Sequence, residues 1–200
     1  TYPGSDYYEI AVVQYRMQFH SNLPPTLLRG YVQLSTSVVP GNNVPLSNAN
    51  FAGGVTPIVG YTGVDNPHYL GPTIVATKDR PVRILFRNLL PTGVAGELFL
   101  PMDSTLMGAG AGPDMMTLDA NNVPVEMFPD EGTVYDRIRN PMCNESPKPM
   151  GCFADNRATL HLHGGITPWI SDGTPHQWTT PAGEDTAYPE GVSVSNVPDM

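Results

Sequence analysis

Basic residues are scarce in this chain. Lysine and arginine total 10 against 19 aspartates and glutamates, which gives a formal net charge of −9 over 200 residues. A protein that binds nucleic acid or an anionic membrane surface needs basic patches, so this balance argues against both partners. No apolar run approaches the roughly 18 residues of a membrane-spanning helix, and we therefore expect no membrane span.

Helical patterning is also lacking. Charged residues make up only 14% of the chain, whereas 22 prolines and 20 glycines are spread through it. No stretch has the apolar periodicity of an amphipathic helix. A chain of 200 residues is nevertheless long enough to bury one large core. The composition therefore predicts an all-β, loop-rich domain rather than a helical or disordered one.

Cysteine is almost absent. Cys143 and Cys152 enclose a loop that contains two prolines and a glycine, which can turn the chain back on itself. We predict a disulfide between them, which would imply an oxidising compartment. Two unrelated free thiols are the alternative. A zinc site is disfavoured because no second cysteine pair completes the pattern.

Short apolar runs between turn residues predict the strands. The candidate strands are residues 8–19, 28–34, 55–59, 71–77, 81–88 and 158–163, with a polar turn at 78–80. In the fifth candidate, Val82, Ile84 and Phe86 alternate with Arg83 and Arg87. Such alternation is typical of a half-buried strand in a sandwich or barrel.

Residues 91–156 have poor periodicity, and we interpret them as a long loop-rich insertion between core strands. Seven of the nine methionines fall within it: Met102, Met107, Met115, Met116, Met127, Met142 and Met150. Thioethers favour Cu(I), which makes copper binding one interpretation. Their spacing is irregular, however, and methionine is also an ordinary filler of irregular packing, so the packing interpretation is preferred.

The sequence HLHGG at 161–165 is the most specific motif. Two histidines at positions i and i+2 of a strand point to the same face of the sheet, because side chains alternate. His161 and His163 would then lie side by side, as a metal site requires. The sequence SDG follows at 171–173.

The other histidines are weaker candidates. His176 lies 13 residues after His163 in a loop-like stretch, and we expect it to be a loop residue. His20 and His68 are expected to be exposed. The two tryptophans that flank the motif, Trp169 and Trp178, are expected to cover the approach to the site or to fill packing gaps.

In this order, the motifs resemble the N-terminal cupredoxin domain of the multicopper oxidases, in particular the bacterial laccase and spore-coat oxidase group. The resemblance rests on YYEI at 7–10, LPPT at 23–26, GPTI at 71–74, VRI at 82–84, NLLP at 88–91, HLHGG at 161–165, TP at 167–168 and SDG at 171–173. It implies that residues 1–200 form one cupredoxin-like Greek-key β-sandwich, with the insertion at about 91–156.

The resemblance also implies roles for individual residues. His161 would bind the mononuclear type 2 copper, and His163 would bind one of the paired type 3 coppers. Asp172 matches a family acid that orients water and relays protons during oxygen reduction, which consumes four protons. Asp172 can also be a simple turn residue, because Asp-Gly is a strong turn dipeptide, and both roles can hold together.

A count of ligands shows that the centre is incomplete in this chain. The family's trinuclear cluster resembles a cage of eight histidines, and its type 1 copper needs a cysteine and two further histidines. This chain has five histidines, of which two match the motif. We therefore expect the remaining ligands and the type 1 copper to come from further polypeptide of the oxidase or from a complementary chain.

Three functions are considered. The first is a laccase-like oxidase that couples one-electron oxidation of a small substrate to four-electron reduction of O₂ to water. The alternative is a non-catalytic cupredoxin-like module for copper binding or assembly. A different metalloenzyme fits poorly: a metallo-hydrolase would want HxHxD where Gly165 stands, and a cupin would want a glutamate before Glu184. For the oxidase we expect a secreted, periplasmic or cell-surface location.

Overall fold

The computed structural model describes residues 4–100, 116–118, 124–126, 154–164, 172–173, 177–185 and 191–192, with 116–118, 124–126 and 192 as strand backbone only. The chain divides into an N-terminal unit, Thr1–Pro91, and a C-terminal unit, Thr92–Met200. The division falls where the predicted insertion begins. The assignment of all 200 residues to one domain with an insertion stays a prediction.

Almost all of the regular structure among the described residues is strand. In the N-terminal unit the strands are β1 (Asp6–Met17), β2 (Thr26–Gln33), β3 (Val44–Ala49), β4 (Val55–Gly63) and β5 (Val82–Asn88). In the C-terminal unit they are β6 (Met116–Leu118), β7 (Pro124–Glu126), β8 (Trp178–Thr179) and β9 (Gly191–Val192), with a short 3₁₀ helix at Gly93–Gly96. The predicted all-β class is confirmed.

The first sheet of the N-terminal unit has the order β2-β1-β5. Strand β1 pairs antiparallel with β2, where Tyr15 lies opposite Leu28, and parallel with β5, where Ile10 lies opposite Phe86. The central strand is buried continuously from Ile10 to Tyr15. An uninterrupted buried run indicates that both faces of β1 are covered, as expected for a central strand.

The second sheet is the antiparallel pair β3-β4, with Ala49 opposite Val55. The hairpin between the strands is closed by Asn50, whose side chain accepts a hydrogen bond from the Gly54 amide at 2.8 Å. Gly53 within the turn has a φ of +95°, a conformation that glycine adopts without strain. The sequence did not predict β3, because Ser47 and Asn48 give it a polar character that is untypical of strands.

The two sheets of the N-terminal unit enclose one hydrophobic core. Its buried members come from β1, from β2 and the residue that follows it, and from β3: Ala11, Val13, Tyr15, Val32, Leu34 and Leu46. Partly buried Ile58 and Tyr61 of β4 pack against them. This two-layer arrangement is consistent with a cupredoxin-like β-sandwich.

Buried polar groups connect the layers. The amide of Gln14 donates to Asn48 Oδ1 at 2.8 Å, and the Gln14 side chain donates to the Ala49 carbonyl at 2.7 Å. Asn48 Nδ2 in turn donates to the Leu89 carbonyl at 2.7 Å. Because these groups are buried, removal of one partner would leave the other without a hydrogen bond and away from water, which would destabilise the fold. They fix β1, β3 and the segment after β5 relative to one another.

A charged pair is also part of the sandwich. Arg87 Nε lies 2.8 Å from Glu9 Oε2, and the guanidinium lies 5.4 Å from the centre of the Tyr61 ring. The hydrogen bond that Arg87 donates to Glu9 raises the pKa of Arg87 above its ordinary value, against the opposing effect of burial. On β5, Phe86 instead packs edge-on against Tyr31 of β2. The predicted alternation of burial is wrong, because Ile84 and Leu85 are both exposed and Arg87, rather than an apolar residue, contacts Tyr61 of the second sheet.

The prediction of a strand at 71–77 is wrong, because those residues are described without strand structure. Gly71 has a φ of +68°, outside the region that a β-ladder requires. The predicted turn at 78–80 is present, and Arg80 N donates to the Thr77 carbonyl at 3.1 Å. Among the described residues, no helix has the length and apolarity that a membrane crossing requires.

Candidate metal centre

The two motif histidines are not on a strand. Residue 158 makes an isolated antiparallel bridge with Thr179, and 159–163 have no strand structure, so the prediction of a strand at 158–163 is wrong beyond its first residue. The described partner strand is short: β8 is only Trp178–Thr179 and pairs with Gly191–Val192. A β-strand needs a hydrogen-bonded partner along its length, and among the described residues this pairing ends at the bridge between residue 158 and Thr179.

The two imidazoles nevertheless lie side by side. His161 Nε2 is 3.1 Å from His163 Nδ1, and the ring centroids are 5.4 Å apart with the planes inclined at 65°. Because both residues are exposed, a third group can approach the pair of imidazoles from solvent.

Asp172 is the third member of the site. Its carboxylate Oδ1 lies 3.1 Å from His161 Nδ1, and its backbone carbonyl also contacts that nitrogen. A carbonyl oxygen can only accept, so His161 Nδ1 carries the proton in this contact. The unprotonated Nε2 of the neutral ring then faces His163 Nδ1. This is the arrangement in which a metal-binding histidine is held by an oxygen acceptor on its far nitrogen.

Gly173 positions Asp172. Its φ is +74°, and a Cβ at this residue would collide with the backbone carbonyl of Leu160 and touch the Cα of His161. The turn at 172–173 can therefore lie directly against the histidine segment only because residue 173 has no side chain. Asp172 lies in a bend, and because residues 174–176 lie outside the described residues, its interpretation as a turn residue stays a prediction.

A buried carboxylate supports the start of the histidine segment. Glu184 is 8% exposed, and its carboxylate accepts hydrogen bonds from the Gly93 amide at 3.1 Å and from the Asn156 side chain. Asn156 itself is 1% exposed. Since buried charges are stable only when hydrogen-bonded, these contacts join three distant parts of the C-terminal unit. Nothing in the sequence near Glu184 signals this role.

Next to Asn156, Arg157 lies over the Trp178 ring, with its guanidinium carbon 5.4 Å from the ring centre. Burial lowers the pKa of Arg157 below its ordinary value, and nearby Asp155 opposes that change. Trp178 is buried at 9% exposure, which agrees with the predicted packing role. The flank of the histidine segment is therefore held by a cation–π contact as well as by the bridge of residue 158.

The remaining sequence candidates divide into two groups. His20 and His68 are exposed, as predicted, and both belong to the N-terminal unit. His176, Trp169, Cys143, Cys152 and the methionines of the predicted insertion other than Met116 lie outside the described residues, and Met116 is described only as strand backbone. The disulfide and the Cu(I) interpretation therefore stay predictions. Within the described ranges, no group of three or more His, Cys, Asp and Glu side chains is placed to hold a metal ion.

The chain is similar to a laccase. A laccase from Bacillus stratosphericus is 25% identical to it over 177 residues, which cover 88% of this chain and 19% of that protein. The chain thus spans about a fifth of the length of the curated relative it matches. Neither a family model nor a solved structure gives a significant match. The similarity suggests, at most, a relationship of the multicopper-oxidase kind.

Proposed function

We propose that this chain is the N-terminal part of a laccase-like multicopper oxidase and contributes two copper ligands, His161 and His163. The observation that carries the proposal is the convergence of their ring nitrogens, 3.1 Å apart. The similarity to a laccase over 88% of the chain supports it independently of that geometry.

The residues fit copper as a partial ligand set. Imidazole nitrogens suit copper, and the oxygen contacts of Asp172 to His161 Nδ1 leave Nε2 as the metal-binding nitrogen. Nitrogens at this separation can bind one shared ion or two neighbouring ions. In our proposal His161 belongs to the type 2 copper and His163 to a type 3 copper, as the family resemblance implies.

In the proposed reaction, four one-electron oxidations of a small substrate supply four electrons. These electrons and four protons reduce one O₂ to two waters. Bound copper would supply the one-electron chemistry. Asp172 would hold the His161 ring in place and transfer protons toward the site. Its side chain is 61% exposed, so bulk water can reach the carboxylate and return the protons it gives up.

The proposal requires partners. Two histidines cannot complete the trinuclear cluster, so the other ligands and the type 1 copper would come from further polypeptide of the oxidase or from a complementary chain. O₂ and a small reducing substrate complete the set. A secreted, periplasmic or cell-surface location is part of the same proposal, as is the disulfide between Cys143 and Cys152.

The test is made on the complete native protein. We expect four copper ions per functional unit and O₂ consumption with a phenol as reductant. The variant His161→Ala should lose O₂ consumption, whereas the control His20→Ala, an exposed residue of the N-terminal unit, should retain it. Fewer than four coppers together with no O₂ consumption on a phenol would instead support a non-catalytic copper-binding or assembly module.

A further inference from the structure

A cleft of about 480 Å³ lies on the surface of the N-terminal unit. It is bordered by the second half of β2, by the turn that follows β4 and by the loop after that turn. Six of the residues that line it carry polar side chains: Tyr31, Gln33, Asp65, Asn66, His68 and Thr73. Its size is within the range of small-molecule sites.

Strand alternation forms one wall of the cleft. Tyr31 and Gln33 point to the same side of β2, opposite to Val32, which is only 3% exposed and belongs to the core. Tyr31 is 40% exposed and is braced from the side by Phe86, with ring centroids 6.1 Å apart. The tyrosine ring is therefore both accessible and fixed in orientation.

Backbone hydrogen bonds hold the other walls. The Val64 amide donates to the Gln33 carbonyl at 2.8 Å, which ties the turn after β4 to the end of β2. The Gly71 amide donates to the His68 carbonyl at 2.8 Å. A Cβ at Gly71 would lie 3.4 Å from Tyr31 Cβ, so the loop runs directly against the tyrosine. The cleft is thus built from fixed elements.

The side chains that line the cleft indicate which class of ligand it can bind. It contains no lysine or arginine, so an anion would find no counter-charge beside Asp65. One carboxylate and one imidazole are too few for a metal ion. The Asp65 carboxylate is oriented by the Asn66 amide at 2.8 Å and, with about four acceptor positions, can accept further hydrogen bonds. Carboxylate, amide and hydroxyl groups beside one aromatic ring match a neutral ligand with many hydroxyl groups and an apolar C–H face.

We propose that this cleft binds a neutral sugar ring of an oligosaccharide. The ring would lie on Tyr31, and its hydroxyl groups would donate to Asp65 and exchange hydrogen bonds with Gln33 and Asn66. The inference does not depend on copper, because all the lining residues belong to the N-terminal unit.

Calorimetric titration of the complete protein with cellohexaose, chitohexaose and maltohexaose tests the proposal. We expect at least one of them to bind, and we expect Tyr31→Ala and Asp65→Ala each to weaken that binding by about tenfold, the loss typical of one aromatic contact or hydrogen bond. Gln33→Ala keeps the test valid if either variant unfolds, which a thermal melt would show.

Matched controls come from the same unit. Tyr69 is 60% exposed and is not a lining residue, and Asp79 lies in the turn before β5. Tyr69→Ala and Asp79→Asn should bind as the parent protein does. The proposal is overturned if none of the three oligosaccharides binds at millimolar concentration, or if Tyr69→Ala weakens binding as much as Tyr31→Ala. Preferential binding of spermidine would also overturn it and would indicate a site for cations.

Discussion

The two units of this protein hold their residues in place by different means. In the N-terminal unit, long strands pair over many residues, and β1 alone extends from Asp6 to Met17. In the C-terminal unit the described strands have two or three residues each. There, the position of the candidate site depends on a buried carboxylate, a cation–π contact and one glycine turn.

We call the N-terminal unit the framework, because the candidate site lies in the C-terminal unit. A strand ladder fixes many residues at once, and losing one side chain leaves most of its hydrogen bonds intact. The contacts around His161 are few and specific, so each of them matters for the site. We therefore expect mutations in the N-terminal unit to act mainly on stability and mutations near Asp172 to act mainly on copper binding.

The largest expected effect is in the framework. Leu34 is 1% exposed within the core, and Leu34→Ala should lower the free energy of unfolding by roughly 2–5 kcal/mol through lost burial and the cavity left behind. Denaturant unfolding measures this. Val38 is 69% exposed, and Val38→Ala should change stability by less than about 0.5 kcal/mol. Equal effects of the two variants would contradict the assigned core.

The second prediction concerns the turn that carries Asp172. Gly173→Ala should cost about 1–3 kcal/mol from backbone strain alone, and the collision with Leu160 should displace Asp172 from His161. The measurement is copper affinity of the complete protein, together with its stability. Gly183 has a φ of +84° but an open Cβ position. Gly183→Ala shares the strain without the collision, and an equal loss of copper affinity in both variants would contradict the positioning role.

The third prediction concerns the carboxylate itself. Asp172→Asn keeps the size of the side chain and the backbone contact to His161, but it removes the charge that orients the ring. Copper affinity should fall about 10–100-fold, as for other groups that orient metal-binding histidines. Asp185→Asn, at an exposed position of the same unit, is the control. Unchanged copper affinity and unchanged oxygen reduction in Asp172→Asn would remove both proposed roles.

The smallest expected effect concerns an exposed ion pair of the N-terminal unit. Arg80 and Asp6 form an ion pair at 2.7 Å, with the arginine side chain 51% exposed. Arg80→Ala should cost about 0–1 kcal/mol, and less in high salt, because exposed pairs are screened. Urea unfolding at low and high salt checks this. A loss above roughly 2 kcal/mol would show that the N-terminal unit also depends on single contacts.

The strands that could be predicted from the sequence are those that depend on local patterns of residues. The expected strand at 8–19 corresponds to β1 with a shift of two residues, and the strand expected at 81–88 corresponds to β5, although its burial does not alternate as predicted. Strand β3 was missed because Ser47 and Asn48 give it a polar character, and the partner that satisfies Asn48, Gln14, lies far away in the chain. The strand expected at 71–77 was wrong because its residues suit a strand but Gly71 turns the backbone away from one.

The same distinction applies to the site. His161 and His163 were recognisable from their spacing, although they lie side by side through a loop and not through strand alternation. The closeness of Asp172 to His161 depends on Gly173 packing against a segment more than ten residues earlier, and local pattern does not encode it. The contacts of Glu184 to Gly93 and Asn156 could likewise not be predicted from the sequence, because they join residues that are distant in the chain.

Copper content of the complete native protein tests the central claim most directly. Metal analysis and the electron paramagnetic resonance spectrum should be compared for the parent protein, His161→Ala, His163→Ala and the exposed control His20→Ala. We predict that each motif variant loses copper and the type 2 signal changes in His161→Ala, while His20→Ala matches the parent. Unchanged copper content and an unchanged spectrum in both motif variants would contradict the account.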